Sequence, residues 1–208
     1  MNPINLSKEY AKIRENSVVS NTEVFGLERA LKTSGYPMKT NHKEHQDWPY
    51  AYQRGCKLGN AKSGSGHDNF LKGIIVQADL TAPQYFWPQW QRYHFQDIVS
   101  SQSKMHRITK MDMNNACNEY VLPQIKDIAQ GLINVYNEIE KPTQEQFQKL
   151  ISNIPLGLNL TAGITTNYLQ CKGVYNQRRG HKLKEWKMYC DWIESLPLFE
   201  DLCLKKNK

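Results

Sequence analysis

Between residues 121 and 140, apolar side chains recur at Ile125, Ile128, Leu132, Val135, Tyr136 and Ile139. That spacing puts them on one stripe of a helix, which must bury against a second layer of structure. Another helix follows at once. Thr143-Gln144-Glu145-Gln146 reads as a capping box, in which threonine and glutamine side chains each satisfy a backbone N–H, and Phe147, Leu150 and Ile151 continue its apolar face. Helices are also predicted over 169–178 and 183–195, the latter faced by Leu183, Trp186, Cys190 and Ile193. Val24, Leu27 and Leu31 carry helical spacing that Gly35 and Pro37 stop, and the first 22 residues read as a short helix or arm. Strands are scarcer. Ile74 to Leu80 is short, β-branched and bounded by Gly73 and Pro83. Thr81 could cap a following helix with Pro83 in its first turn, although Pro88 would kink that helix or delay its start. Residues 38–66, rich in Lys, His, Asn, Ser and Gly and ending in Ser63-Gly64-Ser65-Gly66, read as loop. The expectation is an α+β, helix-dominated single domain over all 208 residues, long enough to bury a core without staples.

Lys and Arg number 27 against 20 Asp and Glu, a net charge of +7 that raises the local concentration of phosphates, folates or nucleic acid. An apolar content of 39% and a mean hydropathy of −0.68 fit a large polar surface or an oligomer of modest subunits. The five cysteines (Cys56, Cys117, Cys171, Cys190, Cys203) are scattered and odd in number, as expected of reduced thiols in a cytoplasmic protein. His42 and His45 lie three apart but lack a partner pair, so no metal site is expected. No segment approaches the roughly 18 apolar residues of a membrane span.

Chemistry-bearing residues concentrate between 66 and 107. Gly66-His67 precedes the strand. Gln89, Arg92 and His94 follow it, and Ser100-Ser101-Gln102-Ser103-Lys104-Met105-His106-Arg107 comes next. Gln89 and Arg92 would share one helix face. Arginine forks match phosphate and carboxylate geometry, and Tyr85, Trp87, Trp90 and Tyr93 can stack on planar rings. The same residues also fit a solvated basic helix face, and His67 fits a capping or core histidine. Arg178-Arg179 with His181-Lys182 could simply complement a helix dipole. Trp87, Trp90, Tyr93 and Phe95 around Arg92 could instead stack nucleic-acid bases, although no zinc-finger, RNP or helix-turn-helix signature accompanies them.

In order and spacing, these pieces resemble the flavin-dependent thymidylate synthases (ThyX family). That family's central block runs Gly-His, a strand, Gln-x-x-Arg-His-Arg, then a Ser-x-Asn-Glu-x-Ser-x-Arg tail. Here Gly66-His67, Ala82-Pro83 and Gln89-Trp90-Gln91-Arg92 stand at matching separations. A second family block, Leu-Pro, Thr-x-Asn and a helical arginine, is matched by Ile154-Pro155, Thr165-Thr166-Asn167 and Arg178. Together the blocks cover half of the chain. It departs from the pattern at Arg92-Tyr93-His94, which replaces Arg-His-Arg, and at Ser100–Ser103, where the family has Asn-Glu. Lys104 or Arg107 stands for the final arginine, and Lys149 is the nearest cation before Ile154-Pro155.

The resemblance implies a mixed α/β subunit with a small antiparallel sheet, assembled as a homotetramer with FAD and dUMP bound across its interfaces. It implies transfer of a methylene from methylenetetrahydrofolate to C5 of dUMP, with NADPH reducing the flavin and no cysteine nucleophile. By matched position Arg178 would hold the uracil ring and, with Ser103, be catalytic. Gln89, Ser103 and Arg107 or Lys104 would bind dUMP, and His67, Arg92, His94 and Asn167 would contact FAD. A fixed guanidinium suits charge developing on the ring. The departures leave two other readings: a diverged homologue that hydroxymethylates a pyrimidine nucleotide, and a non-catalytic protein that binds nucleotide or nucleic acid on the same fold.

Overall fold

The structure, a computed structural model, describes residues 5–41, 47–62 and 64–205. The first half carries α1 (Leu6–Tyr10), β1 (Val19–Phe25), α2 (Leu27–Thr33), α3 (Trp48–Gly59), β2 (Ile75–Pro83), α4 (Trp87–Trp90) and β3 (Asp97–Ser101). The second half carries α5 (Lys104–Arg107), α6 (Met113–Ala116), α7 (Pro123–Glu138), α8 (Gln144–Ser152), β4 (Asn159–Asn167), α9 (Tyr168–Arg178) and α10 (Lys184–Ser195). The fold is helix-dominated, with one four-stranded antiparallel sheet in the order β1-β2-β4-β3. The chain divides into two compact units: Met1–Asp79, Tyr93–Asp97 and Ile164–Lys208 make the first, Leu80–Arg92 and Ile98–Gly163 the second.

In the first unit, β1 pairs with β2, whose leading part pairs with the end of β4, and the Tyr168 N–H donates to the Ile74 carbonyl at 3.0 Å. The core is aromatic. Tyr168, Trp186, Tyr189, Trp192 and Phe199 are fully buried, and the Tyr168 hydroxyl donates to the Pro197 carbonyl at 2.7 Å. Lys172 of α9 is also buried. Its ammonium donates to the carbonyls of Gly59 (2.7 Å) and Ala61 (3.2 Å) and pairs with the Asp68 carboxylate (2.8 Å). Three acceptors around one ammonium meet the requirement that a buried charge be both paired and hydrogen-bonded. They tie the end of α3 and the turn after His67 to α9.

Here the sequence reading needs three corrections. Val24 belongs to β1, not to a helix: Gly26 turns the chain with a φ of 77° before α2 starts at Leu27, and a Cβ there would sit 2.4 Å from the Gly73 carbonyl oxygen. The segment read as loop over 38–66 contains α3. Its Pro49 occupies the first turn, and Gly55 and Gly59 serve close packing: added Cβ atoms would meet Leu31 and the Leu202 carbonyl at 2.2 Å each. The short helix or arm expected over 1–22 does form a short helix, α1, but it also includes the start of β1, and its Arg14 N–H donates to Ser195 Oγ at 2.8 Å. His42, His45 and Ser63 lie outside the described residues.

In the second unit, the remainder of β2 pairs with the start of β4, which pairs with β3. Thr81 and Thr161 share a hydroxyl hydrogen bond at 2.8 Å, so Thr81 is a strand residue and not a helix cap. The helix that follows, α4, has only four residues and takes Pro88 in its first turn. Ser100 and Ser101 lie in β3, all five of whose residues are exposed. The capping box forms at Thr143 as expected. α7 also forms, but its buried face is turned from the expected stripe. Ala129 and Ile133 are buried, with Leu132 and Tyr136 packed against the cluster of Ile108, Met113, Leu150 and Leu158, whereas Ile125, Ile128 and Val135 are exposed.

Candidate functional site

β4 ends in the buried pair Thr166 and Asn167, and the Asn167 side-chain oxygen accepts from the Gln170 N–H at 3.0 Å, capping α9. Such a cap fixes where the helix starts, and eleven residues on, α9 closes with Arg178. The Arg178 Nε–H donates to the Tyr93 hydroxyl at 2.7 Å, and that hydroxyl donates to Gln177 Oε1 at 3.0 Å. The guanidinium lies 4.7 Å from the centroid of the buried Trp186 ring and 5.5 Å from that of Tyr93. Tyr93 meets Trp186 edge to face at 6.0 Å. Guanidinium groups pack on aromatic faces more readily than ammonium groups do, and this cation is held by two rings and one hydroxyl. His181 accepts from the Leu183 N–H through Nδ1 at 3.1 Å, and burial, then the charges of Arg178 and Lys182, push it below the usual histidine value. It therefore adds no second positive charge at neutral pH.

The first unit also carries His67, exposed at the start of its turn, beside a cavity of about 620 Å³ lined by Tyr50, Arg54, Lys57 and Met38. Arg54 donates to Ser34 Oγ at 3.1 Å and to the Leu31 carbonyl at 3.0 Å, and stands 5.3 Å from the Tyr50 ring centroid. Reading 38–66 as loop missed these groups. The signal was Trp48-Pro49 followed by Tyr50, Arg54 and Lys57 at helical spacing. His94 is exposed in the same unit. The Cys171 and Cys190 thiols are both pushed up to about 12 by burial, which keeps them protonated and unreactive.

In the second unit the Lys104 ammonium donates to Gln84 Oε1 at 2.9 Å. Ser103 caps α5 by accepting from the His106 N–H at 3.3 Å. Gln102 binds both polar backbone groups of Thr161: its own N–H donates to the Thr161 carbonyl at 2.9 Å, and its Oε1 accepts the Thr161 N–H at 3.0 Å. A cavity of about 280 Å³ lies here, lined by Gln84, Trp87, Gln91, Ser101, Gln102 and Ala162. Gln89 is half-buried, and Arg92 and Arg107 are exposed. The shared helix face expected for Gln89 and Arg92 does not exist, because α4 ends at Trp90. Trp90 is fully buried and cannot stack on a base, while Phe95 is exposed. The structure thus joins Arg178 to Tyr93 in one unit and Ser103 to Lys104 in the other. Among the described residues no three His, Cys, Asp or Glu side chains converge as metal ligands, and no helix is long and apolar enough to cross a membrane.

No protein-family model matches the sequence, and no curated protein matches it. The fold does have solved counterparts. The flavin-dependent thymidylate synthase ThyX from Helicobacter pylori, complexed with FAD and dUMP, superposes with a TM-score of 0.69 at 12% identity, over 90% of this chain and 100% of the other. A second structure of ThyX from the same organism with FAD and dUMP gives a TM-score of 0.68 at 11% identity, over 89% and 97% of the two chains. The resemblance read from Gly66-His67 to Arg178 therefore holds for the architecture: this chain has the fold of the flavin-dependent thymidylate synthase ThyX.

Proposed function

We propose that this chain is a ThyX-like enzyme that methylates dUMP at C5, taking the carbon from methylenetetrahydrofolate and using FAD and NADPH. The observation that carries this reading is Arg178, a guanidinium fixed by Tyr93 and Trp186 at the position the family resemblance assigns to the uracil ring. Uracil C5 becomes nucleophilic when negative charge on the ring oxygens is stabilised, and a preorganised cation does this without reorganising during the reaction. Ser103, Lys104, Arg107 and Gln89 would hold the nucleotide, with the ammonium and guanidinium on its phosphate.

The residues present suit FAD. His67 borders a cavity walled by the cations Arg54 and Lys57 and the Tyr50 ring, a lining matched to a phosphate-bearing planar ligand. His67, Arg92, His94 and Asn167 would hold the cofactor. With its oxygen engaged as the α9 cap, Asn167 keeps its NH₂ group as a donor. Bound FAD would supply the redox chemistry, and the protein would orient and screen it. The apolar Ile125, Ile128 and Val135 exposed on α7 support a homotetramer, in which such a stripe would be covered.

Purified, dialysed protein is expected to be yellow, with flavin absorbance bands, and its gene to rescue a thymidine auxotroph. A yellow protein that fails to rescue would indicate altered chemistry such as hydroxymethylation. A colourless protein that shifts DNA in a salt-dependent manner would replace the enzyme with a nucleic-acid-binding module.

A further inference from the structure

The segment Tyr93–Asp97 belongs to the first unit and carries an unusual sequence of three side chains. The Tyr93 hydroxyl holds Arg178. Phe95 adopts a left-handed φ of 58° and is 65% exposed, the reverse of what backbone preference and an apolar side chain favour. Gln96 is 4% exposed, and among the described residues neither its Nε2 nor its Oε1 has a hydrogen-bond partner. A carboxamide taken from water with both ends unpaired is costly, and native chains keep few such groups without a reason.

The two orphaned atoms make a side-by-side donor and acceptor. One complementary group satisfies both at once: a cyclic imide, whose ring N–H donates to the carboxamide oxygen while its adjacent carbonyl accepts from the NH₂. Gln96 follows Tyr93 by three residues, which can span at most about 11 Å of chain. That span limits how far Gln96 can lie from the Tyr93–Arg178 pair, beside which the proposed ring would sit. A rotation of the Phe95 backbone to a negative φ would relieve strain and re-aim Gln96.

We propose that the Gln96 carboxamide reads the imide edge of a bound ring, making it a specificity-determining residue of this chain. The inference rests on the uracil and flavin chemistry proposed above. The uracil of dUMP and the isoalloxazine of FAD both carry that edge, and the test separates them.

Gln96→Met removes the amide at nearly constant length. Wild type and variant are titrated with dUMP by calorimetry and with FAD by fluorescence quenching, and their melting temperatures are compared. Losing an unpaired amide should leave the melting temperature unchanged or raised. The affinity for one of the two ligands should fall about tenfold. A fall for dUMP alone identifies uracil as the ring that is read; a fall for FAD alone identifies the flavin. In wild type the N3-methylated analogue of that same ligand should bind about tenfold more weakly, and in Gln96→Met the methyl group should make no further difference. The proposal is overturned if both affinities survive the substitution, if the N3-methylated analogues bind wild type as tightly as their parents, or if Gln96→Met melts early or fails to fold, which would mark the amide as a structural group bonded to buried water. Wild type that binds neither ligand would refute the enzyme reading itself, and with it the imide proposal. Wild-type binding that Gln96→Met leaves intact removes only the role of Gln96.

Discussion

Two groups of cations carry the proposed chemistry, and they are built in opposite ways. Arg178 is held by packing: a capped helix delivers it, the buried Trp186 ring lies beneath it, and the Tyr93 hydroxyl fixes its Nε. In the second unit, Lys104 is tethered by one hydrogen bond to Gln84, and Arg107 projects from a four-residue helix into solvent. A fixed guanidinium has already lost its conformational freedom and can favour a transition state. Exposed, loosely held cations lose that freedom only when a phosphate arrives, so their contribution is to binding. Under the proposed function, the difference would place the two groups at different steps.

The sharpest way to break this contrast is Arg178→Ala. If the guanidinium stabilises developing ring charge, kcat should drop about 10²- to 10³-fold, with little change in the KM for dUMP. A variant that loses KM and keeps kcat would move Arg178 into the binding group. A smaller effect is expected from Lys104→Ala, which should raise the KM for dUMP about tenfold and leave kcat nearly constant. Because Lys104 is partly solvated, the wild-type KM should also rise with salt, and that dependence should weaken in the variant. An unchanged salt response would show that this ammonium does not meet the phosphate.

The smallest effect concerns His181. Its folded value is lowered by burial and by Arg178 and Lys182, so the unfolded chain takes up the proton first as pH falls below 6.5. Stability from this group is therefore fully present above 6.5 and is lost progressively through the window between 6.5 and the lowered folded value. Urea midpoints followed over that window should fall more steeply for wild type than for His181→Gln. Parallel curves would mean that the cations beside His181 do not act on it.

The local rules in the sequence worked where one short segment decides its own structure. The Thr143 capping box, the strand after Gly73 and the helices ending at Arg178 and Ser195 were legible because caps, β-branching and apolar spacing act over a few residues. They failed where distant chain supplied the reason. Gly55 and Gly59 look like helix breakers until Leu31 and the Leu202 carbonyl are seen pressed against them. Ile125, Ile128 and Val135 look like core until Ala129 and Ile133 are found on the buried side. Of the candidate site, the sequence offered Arg178, Asn167 and His67 as separate residues. It did not offer Trp186 beneath the guanidinium, the Arg54 and Lys57 wall near His67, or the orphaned amide of Gln96.

By itself, then, the sequence determined the helix-dominated α+β composition, the order of its blocks and the basic, phosphate-compatible character of the 66–107 stretch. These follow from local propensity and net charge, which need no partner. Tertiary structure decided which cations are rigid, which glycines are packing sites, which face of α7 is covered and which polar groups are left unsatisfied. Each of those depends on what long-range folding brings alongside a residue, and burial turns the same side chain from a solvated charge into a fixed one.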